Sequence, residues 1–90
     1  MLYILPTYEL FTVRRRRHES EAEFDGRALC LLEERVTGTR APMPKGTRYA
    51  REERDLWSVY ESTGAPYANR ARYLGTTDET GARAIIARRA

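Results

Sequence analysis

The chain is poor in the side chains that most often carry chemistry. Its 90 residues hold one cysteine, one histidine, one lysine, one asparagine and no glutamine. Cys30 alone closes no internal disulfide, and one Cys with one His is too few for a Cys/His metal site. Its setting, Ala28-Leu29-Cys30-Leu31-Leu32, is apolar. That suits a small buried hydrophobe and a reducing, cytoplasmic location. No apolar run approaches the roughly 18–20 residues of a membrane span. Met1 to Leu5 is apolar, but Pro6 interrupts it and no basic segment precedes it, so no secretory leader is expected. His18 is the one side chain of the type that serves as a general base near neutral pH, and it lies between Arg14–Arg17 and an acidic run. Nucleophile motifs, glycine-rich phosphate loops and carboxylate pairs on a defined scaffold are all missing. A non-enzyme is expected, without cofactor or metal.

Arginine is what the chain has in excess, with 15 copies, and the net charge is +3. A GC-rich coding genome explains such a bias; so does a need for the planar guanidinium fork that fits phosphate and carboxylate. The missing amides argue against readout of adenine edges. Along the chain the charge is uneven. The run Arg14–Arg17, with Arg27 and Arg35, is balanced by Glu19, Glu21, Glu23, Asp25, Glu33 and Glu34, whereas residues 39–54 carry +3. That basic stretch contains Pro42, Pro44 and Gly46 and reads as a connection from Thr37 to Arg54, with a helical turn at Arg51–Arg54. A basic connection can contact phosphates without reading bases.

Two segments alternate in the manner of strands. Tyr8 to Arg14 is one and Asp55 to Glu61 the other, with Trp57 and Val59 on one face. A third strand is expected over Tyr67 to Thr76, after the turn Ser62-Thr63-Gly64-Ala65-Pro66. Residues 18–23 read as a polar loop, and Phe24-Asp25-Gly26 as a turn. Arg27 to Val36 has helix-forming composition, with Asp25 as a candidate N-cap and Gly38 at the C-terminal cap position. It also fits a strand paired to residues 8–16. Thr76-Thr77-Asp78-Glu79 has capping-box spacing and opens a helix over Glu79 to Arg89, with Ala82, Ile85 and Ile86 inward.

A possible internal repeat tips residues 27–36 toward strand. Glu9-Leu10-Phe11-Thr12-Val13 parallels Asp55-Leu56-Trp57-Ser58-Val59. Arg27-Ala28-Leu29-Cys30-Leu31 parallels Arg70-Ala71-Arg72-Tyr73-Leu74, and Thr37-Gly38-Thr39-Arg40-Ala41 parallels Thr80-Gly81-Ala82-Arg83-Ala84. Two strand–turn–strand units would share one core. The expected fold is therefore a single small α+β domain: an antiparallel sheet of about four strands with a C-terminal helix. Phe11, Val13, Trp57 and Val59 would face Ile85 and Ile86.

The stretch Trp57-Ser58-Val59-Tyr60, Arg72-Tyr73-Leu74-Gly75-Thr76-Thr77-Asp78-Glu79 and Ala82-Arg83-Ala84-Ile85 resembles sheet-plus-helix DNA-binding modules. These are the plant ethylene-response-factor domain and the arm-binding domains of phage tyrosine recombinases. The resemblance implies a sheet laid in the major groove, with Trp57, Arg70 and Arg72 facing DNA. Apart from the resemblance, Trp57 is read by preference as a core residue.

The leading expectation is a small binding module that contacts nucleic acid through Arg40, Arg48, Arg51, Arg54, Arg70 and Arg72. The alternative is a phage or mobile-element accessory protein that inhibits or adapts a larger host protein complex. Tyr49, Tyr67 and Trp57 would then be anchors, with Tyr3 and Tyr8, because Tyr, Trp and Arg dominate interface hot spots. Nothing in residues 8–13 protects an edge strand, so a homodimer is a further possibility.

Overall fold

The computed structural model describes residues 1–39, 41–65 and 71–88. Its elements are β1 (Leu2–Ile4), β2 (Leu10–Thr12), α1 (Glu21–Thr37), β3 (Arg48–Glu53), β4 (Leu56–Glu61), β5 (Arg72–Thr77) and α2 (Glu79–Ala87). The strands form one sheet in the order β2-β1-β3-β4-β5, each antiparallel to its neighbours. The α+β class and the C-terminal helix are as expected. Among the described residues there are five strands rather than four, and a second helix.

Alternation of side chains along the strands divides the core in two. Tyr3 and Tyr49 point to one face, where they meet Phe24, Ala28 and Leu32 of α1 together with Leu5, Val13 and Met43. Ile4 and Ala50, their chain neighbours, point to the other face and meet Trp57, Val59, Ala82 and Ile86. Tyr3 pairs with Phe11 in register, so Phe11 lies on the α1 side. Val13 lies there too, which corrects the expectation that Phe11 and Val13 share a face with Ile85 and Ile86.

The largest correction concerns residues 27–36, which are helical. The local signals were sound and the repeat was misleading. Ser20 caps α1: its hydroxyl accepts from the Glu23 N–H at 3.1 Å while the Glu23 carboxylate accepts from the Ser20 N–H at 3.3 Å, a capping box. Glu21 and Glu23 complement the N-terminal dipole, and Gly38 closes the helix in the left-handed conformation. The helix thus starts at Glu21, so the acidic loop and the Phe24-Asp25-Gly26 turn are its first turns, and Asp25 is not the N-cap. Phe24, Ala28 and Leu32, four residues apart, are its buried stripe. Ala28–Leu31 is therefore helix where Ala71–Leu74 leads into and forms strand. The parallel segments do not share a conformation.

Residues 48–53 are also not a connection. Arg48–Glu53 is the central strand, paired with β1 on one side and β4 on the other. Its sequence has weak strand propensity, but pairing on both edges and burial of Tyr49 and Ala50 on opposite faces override that. Arg54 and Asp55 link it to β4, with Arg54 at φ 58°; there is no helical turn. Residues 8–14 yield only the short β2. The α2 N-cap is Asp78, whose carboxylate accepts from the Gly81 N–H at 2.7 Å. Gly81, within the first turn of α2, leaves room for Thr77, since a Cβ there would stand 2.4 Å from Thr77 Oγ1.

Candidate nucleic-acid interface

The arginines singled out from sequence divide among three places. Arg40 and Arg70, like Tyr67, lie outside the described residues. Arg51 sits on the α1 face, its guanidinium 5.9 Å from the Tyr60 ring centre and ion-paired with Glu53. That pairing holds the Glu53 carboxyl below its usual range. Arg54 lies in the β3–β4 turn, at the end of the sheet away from Arg48. The six therefore do not make one phosphate track.

Arg48 and Arg72 do come together, across one carboxylate. Glu61 pairs in register with Arg48 on one side and Arg72 on the other. Arg48 Nε donates to Glu61 at 3.0 Å, and Arg72 approaches the same carboxylate at 3.9 Å. Arg48 also donates from Nη1 to the carbonyls of Ile85 at 2.8 Å and Arg88 at 2.7 Å. These carbonyls close α2, where unsatisfied acceptors carry the negative end of the helix dipole. Arg48 is thus committed to fixing α2 on the sheet, and only 13% of its side chain is exposed. Arg72 is different, with 69% exposed.

A cleft of about 600 Å³ opens beside this junction. Pro6, Tyr8, Lys45, Arg48, Glu61 and Arg88 are among the residues that line it. Lys45 and Arg88 are exposed. Tyr8 is held at φ 66°, and its carbonyl accepts from Arg83 Nη1 at 3.0 Å. Lys45 and Arg88 thus share the cleft lining with Glu61, and the exposed Arg72 approaches the same carboxylate from β5. Lys45 belongs to the basic stretch 39–54 and Arg88 to the end of the expected C-terminal helix, and nothing in the sequence signals that both line one cleft. They share it only through the sheet register and the docking of α2.

The run Arg14–Arg17 follows β2 and is exposed throughout. Among the described residues no ion pair joins it to the acidic residues that follow. Glu19 turns instead to Arg27, at 2.7 Å, and accepts from the Arg16 backbone N–H. Arg27 holds the Glu19 carboxyl down to about 2. Arg15 lies over the Phe24 ring at 5.2 Å.

The expected aromatic anchors are mostly interior. Trp57 is 4% exposed and packs toward α2, which overturns a DNA-facing role for it. Tyr49 and Tyr3 are buried, so neither is a surface anchor. Tyr8 is exposed, as is Tyr73, which sequence reasoning passed over. Among the described residues no cluster of His, Cys, Asp and Glu could hold a metal ion, and no helix is long and apolar enough to cross a membrane. Compared with protein-family models, curated proteins and solved structures, the chain matches none.

Proposed function

We propose that the protein is a non-catalytic binding module that engages nucleic acid by phosphate contacts at the cleft beside Glu61. One arrangement carries the reading: Lys45 and Arg88 are exposed in the lining of the cleft, Arg72 stands beside Glu61, and Arg48 neutralises the α2 carbonyls. A phosphate approaching here meets exposed cations rather than helix-end acceptors, and Glu61 is already shared by two guanidiniums. Such contacts fix position on a backbone and carry no base information, which agrees with a chain that holds one asparagine and no glutamine.

The test is anisotropy of a labelled duplex and a labelled single strand across a salt series. Affinity should fall steeply with salt, and Lys45→Ala with Arg88→Ala should lower the slope of log K against log salt by about 2. Arg35→Ala, which removes an exposed cation on α1, should leave the slope nearly unchanged. Absence of binding at low salt, or equal slopes in all variants, refutes the reading.

A second reading, the accessory protein on a larger host complex, draws on a different observation. β2 is an edge strand; its first residue, Leu10, is 50% exposed, and Tyr8 just before it 45%. A partner strand added there would supply backbone hydrogen bonds and cover both side chains. A partner that stays bound in high salt, and is released by Leu10→Lys but not by Lys45→Ala, would favour this reading.

A further inference from the structure

A second concavity lies on the opposite face, between α1 and the sheet. It has a volume of about 190 Å³. Asp25 and Leu29 of α1 form one wall; Tyr3, Tyr49, Arg51 and Tyr60 of the sheet form the other, with Ala71 at the rim. Two opposite charges face it without meeting. Arg51 Nε is buried and has no hydrogen-bond partner among the described residues. The Asp25 carboxylate likewise has no ion pair or hydrogen bond there. Buried polar groups are normally paired; Arg51 pairs with Glu53 through Nη2, so its unused Nε–H on one wall and the half-buried Asp25 carboxylate on the other suit something dipolar.

We propose that this cavity binds a small zwitterion, a free amino acid with a short apolar side chain. Its carboxylate would accept from Arg51 Nε and the tyrosine hydroxyls, and its ammonium would donate to Asp25. Burial pushes the Tyr3 hydroxyl up to about 12 and raises that of Tyr49 as well, so both stay protonated and able to donate at neutral pH. Leu29 and Ala71 supply the apolar contact. Size selects the class. At about 30 Å³ per water the space equals about six waters, which admits alanine and excludes a nucleotide or a drug-sized ligand. The bulk anions that suit the cleft beside Glu61 are repelled here by Asp25.

Titration calorimetry with L-alanine, acetate and methylammonium, on the full chain, tests the proposal. L-Alanine should bind at one saturable site, at least about tenfold more tightly than either half-molecule. Asp25→Asn should weaken it by about tenfold or more, and Leu29→Phe, which fills the space, should abolish it. Thermal melts identify variants that stay folded, and ring resonances of Tyr3, Tyr49 and Tyr60 should shift on addition of L-alanine to the unaltered protein. Lys45→Ala with Arg88→Ala should leave alanine binding unchanged, so the two sites fail or succeed separately. No saturable binding, acetate binding as tightly as alanine, or alanine binding unaltered by Asp25→Asn and Leu29→Phe would each overturn the proposal.

Discussion

On the α2 side of the sheet the buried residues are Ile4, Ala50, Val59, Trp57, Ala82 and Ile86. On the α1 side they include Tyr3, Tyr49, Phe24, Met43 and Leu32. Small residues at Ala50 and Ala82 let α2 come close, and its backbone approaches β3, β4 and β5. Phenols on the other face hold α1 further off and leave the space lined by Tyr60 and Arg51. One sheet thus carries a face closed by shape and a face closed only in part. The first contributes stability, and the second leaves Arg51 Nε without a partner among the described residues. The tyrosines of the second face form a ladder across strands: Tyr49 stacks on Tyr60 at 5.6 Å, and Tyr60 meets Tyr73 at 5.7 Å. Such pairs add about 0.5–1.5 kcal/mol each beyond their burial, which keeps the partly closed face ordered.

The sharpest way to break this comparison is to remove one large side chain from each face. Trp57→Ala should destabilise the protein by about 3–5 kcal/mol, because a tightly packed surrounding leaves a cavity that cannot collapse. Leu29→Ala, beside an existing space on the other face, should cost less than about 2 kcal/mol. Urea unfolding with a common slope measures both. Equal losses would show that the two faces are packed alike.

What could be read beforehand follows the same division. The β4 alternation of Trp57 and Val59, and the α2 stripe of Ala82 and Ile86, are local patterns over a few residues, and they identified the α2 face. The α1 face depends on distant pairings. Tyr49 reads as a loop residue until β1 and β4 flank it. Residues 27–36 read as helix on propensity and as strand on a repeat, and only the Ser20–Glu23 capping box, unread in the sequence, decides between them. The basic cleft was the least legible part. Its exposed cations, Lys45 and Arg88, lie 43 residues apart in the chain, and their sharing of one cleft is a property of register and docking. The guanidiniums of Arg48 and Arg51 look equivalent in sequence, three residues apart. Strand alternation sends them to opposite faces and different work.

Alkaline titration sharpens the comparison next. Tyr3 ionises near 10 when unfolded and near 12 in the fold, with Tyr49 raised further in the same direction by burial. A group whose folded value is raised contributes stability that is complete below the unfolded value and is lost as pH rises through the folded one. Stability should therefore decline from about pH 10 upward, by roughly 2–3 kcal/mol for Tyr3 alone once both values are passed. Phenolate absorbance and near-ultraviolet circular dichroism should change together, and Tyr3→Phe should remove part of the decline. The α2 face, which buries no titratable aromatic, should keep its Trp57 fluorescence until global unfolding.

Gly81 tests how tightly α2 is seated. Glycine to alanine within a helix ordinarily stabilises by up to about 1 kcal/mol. Here the added Cβ meets Thr77 Oγ1 at 2.4 Å and Thr77 Cγ2 at 2.9 Å, and overpacking costs about 1–3 kcal/mol. Gly81→Ala should therefore destabilise, and Thr77→Ala in the same chain should reverse the sign, a coupling that a double-mutant cycle reads directly.

The smallest effect is expected at the start of α1, where the helix is held by exposed polar groups rather than by packing. Ser20→Ala removes the acceptor for the Glu23 N–H and should cost about 1 kcal/mol. Acid should loosen the same end. Arg27 keeps the Glu19 carboxyl ionised down to about 2, so its contribution is present above the unfolded value near 4.5 and fades as pH falls through about 2. Amide exchange should rise first in residues 21–24 under acid, and earlier still in Ser20→Ala. Protection at the N-terminus of α2, where Asp78 caps a closely docked helix, should persist in the same samples. If both helix starts open together, the packing difference between the two faces does not set local stability.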